Sequence, residues 1–242
     1  QLEGKIKMKF FIMGDSWGVG SEPVTAMEHR NIGIDYYLKK LGHTVTNVSA
    51  NSAGNFGQLR HAYYTLLENN NYDRIIWFHT ESLRDIIEIC IQDPQEQQKY
   101  FPNFEMHADF SKVLDYVDRQ NYQFAQELYN KYHIPFIVID GQTPMNKTVG
   151  DYSFVKHSIP WIQTLLELEV DPRFTFYSWP KIQIILKHYK ISERHFIENN
   201  IDDLDFSQSI VTRASESDLF PDNSHPSTKC YESLAKQVEE LT

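Results

Sequence analysis

The chain has 242 residues, of which 41% are hydrophobic, 14% aromatic and 23% charged. With 15 Phe, 14 Tyr and 4 Trp it is too apolar to be disordered as a whole, and no apolar run reaches the roughly 18–20 residues of a membrane-spanning helix. Lys plus Arg (23) against Asp plus Glu (33) leaves a net charge of −10, the wrong sign for a protein that mainly neutralises nucleic-acid phosphates. Two cysteines, Cys90 and Cys230, are too few for a disulfide framework or a zinc ribbon. The first ten residues mix Lys5, Lys7 and Lys9 with few apolar residues and hold no hydrophobic core of a secretion signal, so the expectation leans to the cytoplasm.

In chain order, Phe10–Met13 is a short apolar run ending at Gly14, the pattern of a buried strand running into a tight turn. Ile34, Tyr37, Leu38 and Leu41 repeat at helical spacing, with Gly42 as a stop. Thr44–Val48 is a β-branched run, followed by a small, polar stretch over Ser49–Gly57. Leu59, Ala62, Tyr63, Leu66 and Leu67 lie on one face of a helix, and Arg74–Phe78 reads as a third buried strand. Phe110, Val113, Leu114, Val117, Phe124 and Leu128 mark a long helix, and Ile134–Ile139 is a fourth strand closed by Asp140 and Gly141. Tyr231, Leu234, Ala235, Val238 and Leu241 line a last helix whose first turn would hold Pro226.

Near-continuous apolar strands alternating with helices point to a mostly parallel sheet covered on both faces. The alternation fails between about 145 and 220, where helical pieces (Trp161–Leu168, Ile182–Tyr189) give way to the acidic Asp202, Asp203 and Asp205. With no repeat and no linker in evidence, residues 1–242 read as one domain carrying a helical and aromatic elaboration over that stretch.

Ligands of an open parallel sheet bind beyond the carboxyl ends of its strands. The polar clusters of this chain fall there: Gly14-Asp15-Ser16-Trp17, Asn51-Ser52-Ala53-Gly54-Asn55 and His79-Thr80-Glu81-Ser82, with Asp222-Asn223-Ser224-His225-Pro226 before the last helix. Residues three apart on a turn entering a helix point the same way, so Asp222 can sit behind His225 and fix its tautomer. The other ring nitrogen is then free to take a proton from Ser16, whose own N–H and that of Gly54 could face a developing oxyanion.

The run Phe10-Phe11-Ile12-Met13-Gly14-Asp15-Ser16 resembles the first block of the SGNH/GDSL hydrolase family. Gly54 falls where that family has its second-block glycine, and Asp222-Asn223-Ser224-His225-Pro226-Ser227 is similar to its fifth block. The resemblance implies a flavodoxin-like three-layer α/β/α fold and serine-dependent hydrolysis of esters, often acetyl or acyl groups on carbohydrates or small lipids. It implies no metal or organic cofactor. The expected partner is a small-molecule or carbohydrate ester; the sequence leaves the oligomeric state open.

The third block departs. Where the family reads Gly-x-Asn-Asp, with Asn donating to the oxyanion, this chain has His79-Thr80-Glu81-Ser82. An ionised carboxylate would repel an oxyanion, so Glu81 should turn away, toward a cation such as Arg84. Thr80 (or Ser82) should then supply a hydroxyl donor. The same residues would equally serve acyl transfer to a second alcohol, whereas a noncatalytic carbohydrate-binding or virion module on this fold would need none of them.

The other candidates read as structural. His61 and His79 are expected to be hydrogen-bonded framework histidines, and Asn55 a loop residue. His188 and His195 lack a third ligand at metal spacing, so no metal site is expected. Gly14–Ser21 has neither the lysine of a phosphate loop nor the third glycine of a dinucleotide fingerprint. Trp161, Phe174, Phe176, Tyr177 and Trp179 are expected in core or lid packing.

Overall fold

Five of the chain's short extended segments pair edge to edge: β1 (Lys9–Met13), β4 (Thr44–Asn47), β5 (Arg74–His79), β6 (Phe136–Asp140) and β7 (Val155–Ile159). They form one sheet in the order β4-β1-β5-β6-β7, parallel at every pairing. This computed structural model describes residues 6–25, 28–91, 109–141, 145, 147–167, 179–200, 218–221 and 225–242. A small antiparallel hairpin, β2 (Ser21–Thr25) and β3 (Glu28–Asn31), interrupts the alternation after β1. Without the hairpin, the sheet strands run second, first, third, fourth, fifth, which is the flavodoxin-like order.

Side chains alternate across the sheet with period two and feed two cores. Phe10, Ile12, Ile76, Phe78, Ile137 and Ile139 face one side. There they meet Ile34 and Leu38 of α2 (Ile34–Lys40), Trp161 and Ile162 of α6 (Trp161–Leu166), and Tyr231, Leu234 and Val238 of α9 (Thr228–Glu240). Phe11, Met13, Ile75, Trp77, Phe136 and Val138 face the other side, against α3 (Asn55–Glu68) and α5 (Phe110–Tyr132). The result is a three-layer α/β fold. The central strands β1, β5 and β6 are almost wholly buried, consistent with their unbroken apolar sequence.

The stretch from about 145 to 220 contributes more than an elaboration. Its Val155–Ile159 is the fifth strand, at the sheet edge beside β6. Partial exposure of an edge strand explains its alternating Val-Lys-His-Ser-Ile, which a search for continuous apolar runs passes over. Two further helices, α7 (Trp179–Tyr189) and α8 (Glu193–Asn200), join α4 (Ser82–Ile91) and the start of α5 in a third apolar cluster. Phe196 packs edge-on to Phe110 there, 5.2 Å between ring centres. Pro226 is not within the last helix; it precedes the N-cap Ser227, and the helix begins at Thr228. The expectations for Phe174, Phe176, Tyr177, Asp202, Asp203 and Asp205 lie outside the described residues.

Candidate active site

The sheet order reverses between β1 and β5, since β4 lies on the other side of β1, and the loops after these two strands define a crevice at their carboxyl ends. Gly14 permits the close approach there: a Cβ on it would come 2.7 Å from the Cβ of Phe78, an atom too near its own backbone to move aside. Asp15 then caps the single-turn helix α1 (Ser16–Val19), its Oδ1 accepting from the Trp17 amide at 3.0 Å. Ser16 is the first residue of that turn. Among the described residues its amide N–H has no acceptor, as expected for a group at a helix start.

Ser16 Oγ lies 3.0 Å from His225 Nε2, across 209 residues of sequence. Ser16 is buried at 9% exposure and His225 is half-buried. A serine hydroxyl in hydrogen-bond reach of an imidazole nitrogen is the arrangement by which a base removes the hydroxyl proton. Asp222, expected behind His225, lies outside the described residues.

Thr80 and Glu81 follow β5. Thr80 does not offer its hydroxyl to the crevice as the sequence suggested. It is fully buried, and Oγ1 donates to Asp15 Oδ2 at 2.8 Å. Glu81 is buried and pairs with Arg84, Nε to Oε1 at 3.0 Å, as its charge requires. Arg84 Nη1 also lies 3.2 Å from Asp15 Oδ2. One guanidinium thus ties the loop after β5 to the cap of the helix that carries Ser16.

The glycine loop is organised from below. Gly54 caps α3 without a side chain of its own, and α4 provides the missing acceptors. Asp85 Oδ1 accepts from the Phe56 amide at 3.0 Å, and Glu88 Oε1 from the Gly54 amide at a longer 3.4 Å. A Cβ on Gly54 would fall 2.3 Å from Asp85 Oδ1, so only glycine allows this approach. Asn55 is no plain loop residue. It is fully buried and clamps the peptide of Thr80, Oδ1 accepting from its N–H at 2.9 Å and Nδ2 donating to its carbonyl at 2.8 Å.

Burial pushes Asp85 up to about 8, and the nearby Glu88 and Asp118 carboxylates push the same way. The Phe56 amide and Asn121, whose Nδ2 donates to Asp85 Oδ2 at 2.8 Å, offset part of that rise. Glu88 is also raised by burial, against the pull of the Gly54 amide, Arg60 and Arg84. His79, at the end of β5, is held neutral, burial lowering it to about 3; its Nε2 lies 3.8 Å from Asp118 Oδ1. Ser82 donates to the same Asp118 oxygen. Among the described residues there is no grouping of three or more His, Cys, Asp or Glu fit to hold a metal, and no helix long and apolar enough to cross a membrane.

No model of a known protein family matches the sequence, and no curated protein does. Solved structures to which the chain is similar include TesA, at TM-score 0.44 and 12% identity over 96% of this chain and 97% of that one. A second is the psychrotrophic esterase EstA from Pseudoalteromonas sp., at TM-score 0.42 and 12% identity over 97% and 94%. A third is a catalytic mutant of Axe2, an acetylxylan esterase from Geobacillus stearothermophilus, at TM-score 0.41 and 14% identity over 98% and 95%.

Proposed function

We propose that the protein is a serine-dependent ester hydrolase of the SGNH type, acting on acetyl or short acyl esters of carbohydrates or small lipids. The single observation that carries the reading is the 3.0 Å approach of Ser16 Oγ to His225 Nε2 at the strand-order reversal. It is supported by the sequence blocks around Gly14-Asp15-Ser16 and Asp222-Asn223-Ser224-His225.

In this mechanism Ser16 Oγ attacks the ester carbonyl carbon while His225 Nε2 takes the hydroxyl proton. The tetrahedral oxyanion is held by the uncommitted amide of Ser16. The Gly54 amide, engaged among the described residues only by the 3.4 Å contact to Glu88, is the second donor. Collapse breaks the bond to the leaving alcohol, which receives the proton from His225 and leaves an acyl-serine. Water, deprotonated by the same histidine, releases the acid and restores Ser16. Asp222 orients His225 through its other ring nitrogen. No cofactor enters these steps.

A serine-directed fluorophosphonate should add one label per chain by intact mass, and Ser16→Ala should abolish it together with turnover of an ester panel from acetyl to long-chain. Labelling that survives Ser16→Ala would place the nucleophile elsewhere and overturn the assignment. Acyl transfer, which uses the same residues, would show as acylated sugar when a saccharide acceptor is added to the panel.

A further inference from the structure

A cleft of about 450 Å³ opens beside the candidate active site, within the size range that takes a small-molecule ligand. Gly14, two residues before Ser16, and Ala53, next to Gly54, form its inner end, so it borders both elements of the proposed reaction centre. Its outer wall is one stripe of α3: Gly57, Arg60, His61 and Tyr64, spaced at i, i+3, i+4 and i+7. These are not core positions. Arg60 and His61 are exposed and Tyr64 is 60% exposed, while the opposite face of the same helix buries Leu59, Ala62 and Leu66.

Arg60 makes no hydrogen bond or ion pair among the described residues. The acid it acts on is Glu88, which already accepts from the Gly54 amide; Arg60 offsets only part of the rise that burial imposes on that carboxyl. A chain with a net charge of −10 thus presents an exposed guanidinium in a concave site. A guanidinium binds a carboxylate through two parallel N–H donors, and a partly exposed tyrosine ring offers a flat apolar face for a ring to lie on. The small residues Ala50, Ala53 and Gly57 in the lining leave room for that ring within the cleft.

We propose that this cleft is a subsite for a carboxylate-bearing ring, with the carboxylate on Arg60 and the ring against Tyr64. Its bearing on substrate choice, an ester carried by an acidic sugar or by an aromatic acid, rests on the hydrolase reading above; the binding itself does not.

The test is therefore a binding titration on the full chain, followed by NMR, with glucuronate, glucose and benzoate as probes. Glucuronate or benzoate should bind at least tenfold more tightly than glucose, with the advantage shrinking as salt is added. Arg60→Gln should erase that advantage, Arg60→Lys should keep part of it, and Tyr64→Ala should weaken all three probes. Glucuronate binding better than benzoate assigns an acidic sugar, and the reverse assigns an aromatic acid. Equal binding of glucose and glucuronate, no binding of any probe, or an unchanged Arg60→Gln would overturn the proposal. Failure of fluorophosphonate to label Ser16 would instead strike the hydrolase reading and leave the titration standing.

Discussion

Asp85 offers the sharpest physical test of how the site is supported. It is fully buried between α3, α4 and α5, and its pKa stands near 8 against an ordinary 3.8. Ionising it in the folded protein costs on the order of 5 kcal/mol by the usual conversion of about 1.4 kcal/mol per pH unit, and relaxation of the site will trim that. The folded state holds this proton more tightly than the unfolded chain. Its contribution is therefore fully present below about pH 4 and is lost progressively as pH rises to about 8. His79 acts with the opposite slope: lowered to about 3, it costs stability as pH falls below the unfolded value near 6.5. Asp85→Asn removes only the first effect, keeps an acceptor for the Phe56 amide, and leaves His79 in place. Chemical denaturation of both proteins at pH 4.5, 6, 7.5 and 9 should show the variant gaining about 2–5 kcal/mol relative to wild type between the extremes. Stability curves that stay parallel would refute the reasoning, because they would mean that Asp85 is ionised, or equally solvated, in both states.

Asn55→Ala leaves both polar groups of the Thr80 peptide without their side-chain partner, and should cost about 1–3 kcal/mol of stability in urea denaturation together with a fall in kcat larger than any rise in KM. Arg84→Met removes the cation between Asp15 and Glu81, two buried carboxylates, and should cost about 3–5 kcal/mol by the same assay; a loss below 1 kcal/mol would mean that those carboxylates are compensated elsewhere.

Legibility in the sequence tracked how completely a segment's environment was apolar. Phe10–Met13, Arg74–Phe78 and Ile134–Ile139 sit at or near the centre of the sheet, so their unbroken apolar character located them within a residue or two. The edge strand Val155–Ile159 and the hairpin over Ser21–Asn31 carry no such run and were not foreseen. Helix α4 was missed for a different reason. Leu83, Ile86 and Ile87 do show helical spacing, but Asp85 and Glu88 interrupt it, and those acids are there to cap another helix. The approach of Ser16 to His225 was legible because their residue types, placed after a strand and before a helix, suggest a shared chemistry. Asn55 and the hydroxyl of Thr80 were not: a buried clamp and a surface loop residue have the same sequence signature until the partner, 25 residues away for Asn55 and 65 for Thr80, is placed.

The surroundings of Glu81 show how a carboxylate unfavourable to the proposed oxyanion can be held. Glu81 is held by Arg84, three residues along the same chain segment, and that guanidinium reaches on to Asp15. Asp15 accepts from the Trp17 amide and the Thr80 hydroxyl, so its charge is shared by two hydrogen bonds and one ion pair at the base of the turn that bears Ser16. The negative charge of the altered block is thereby paired with a fixed cation, and that cation braces the strand-to-helix turn. An asparagine at position 81 would reverse the arrangement, giving the block an amide donor while leaving Arg84 with Asp15 as its one carboxylate among those two. The departure is thus physically consistent with an active nucleophile, provided that the oxyanion is held by backbone amides. This is why the proposed mechanism relies on Ser16 and Gly54 rather than on any side chain of residues 79–82.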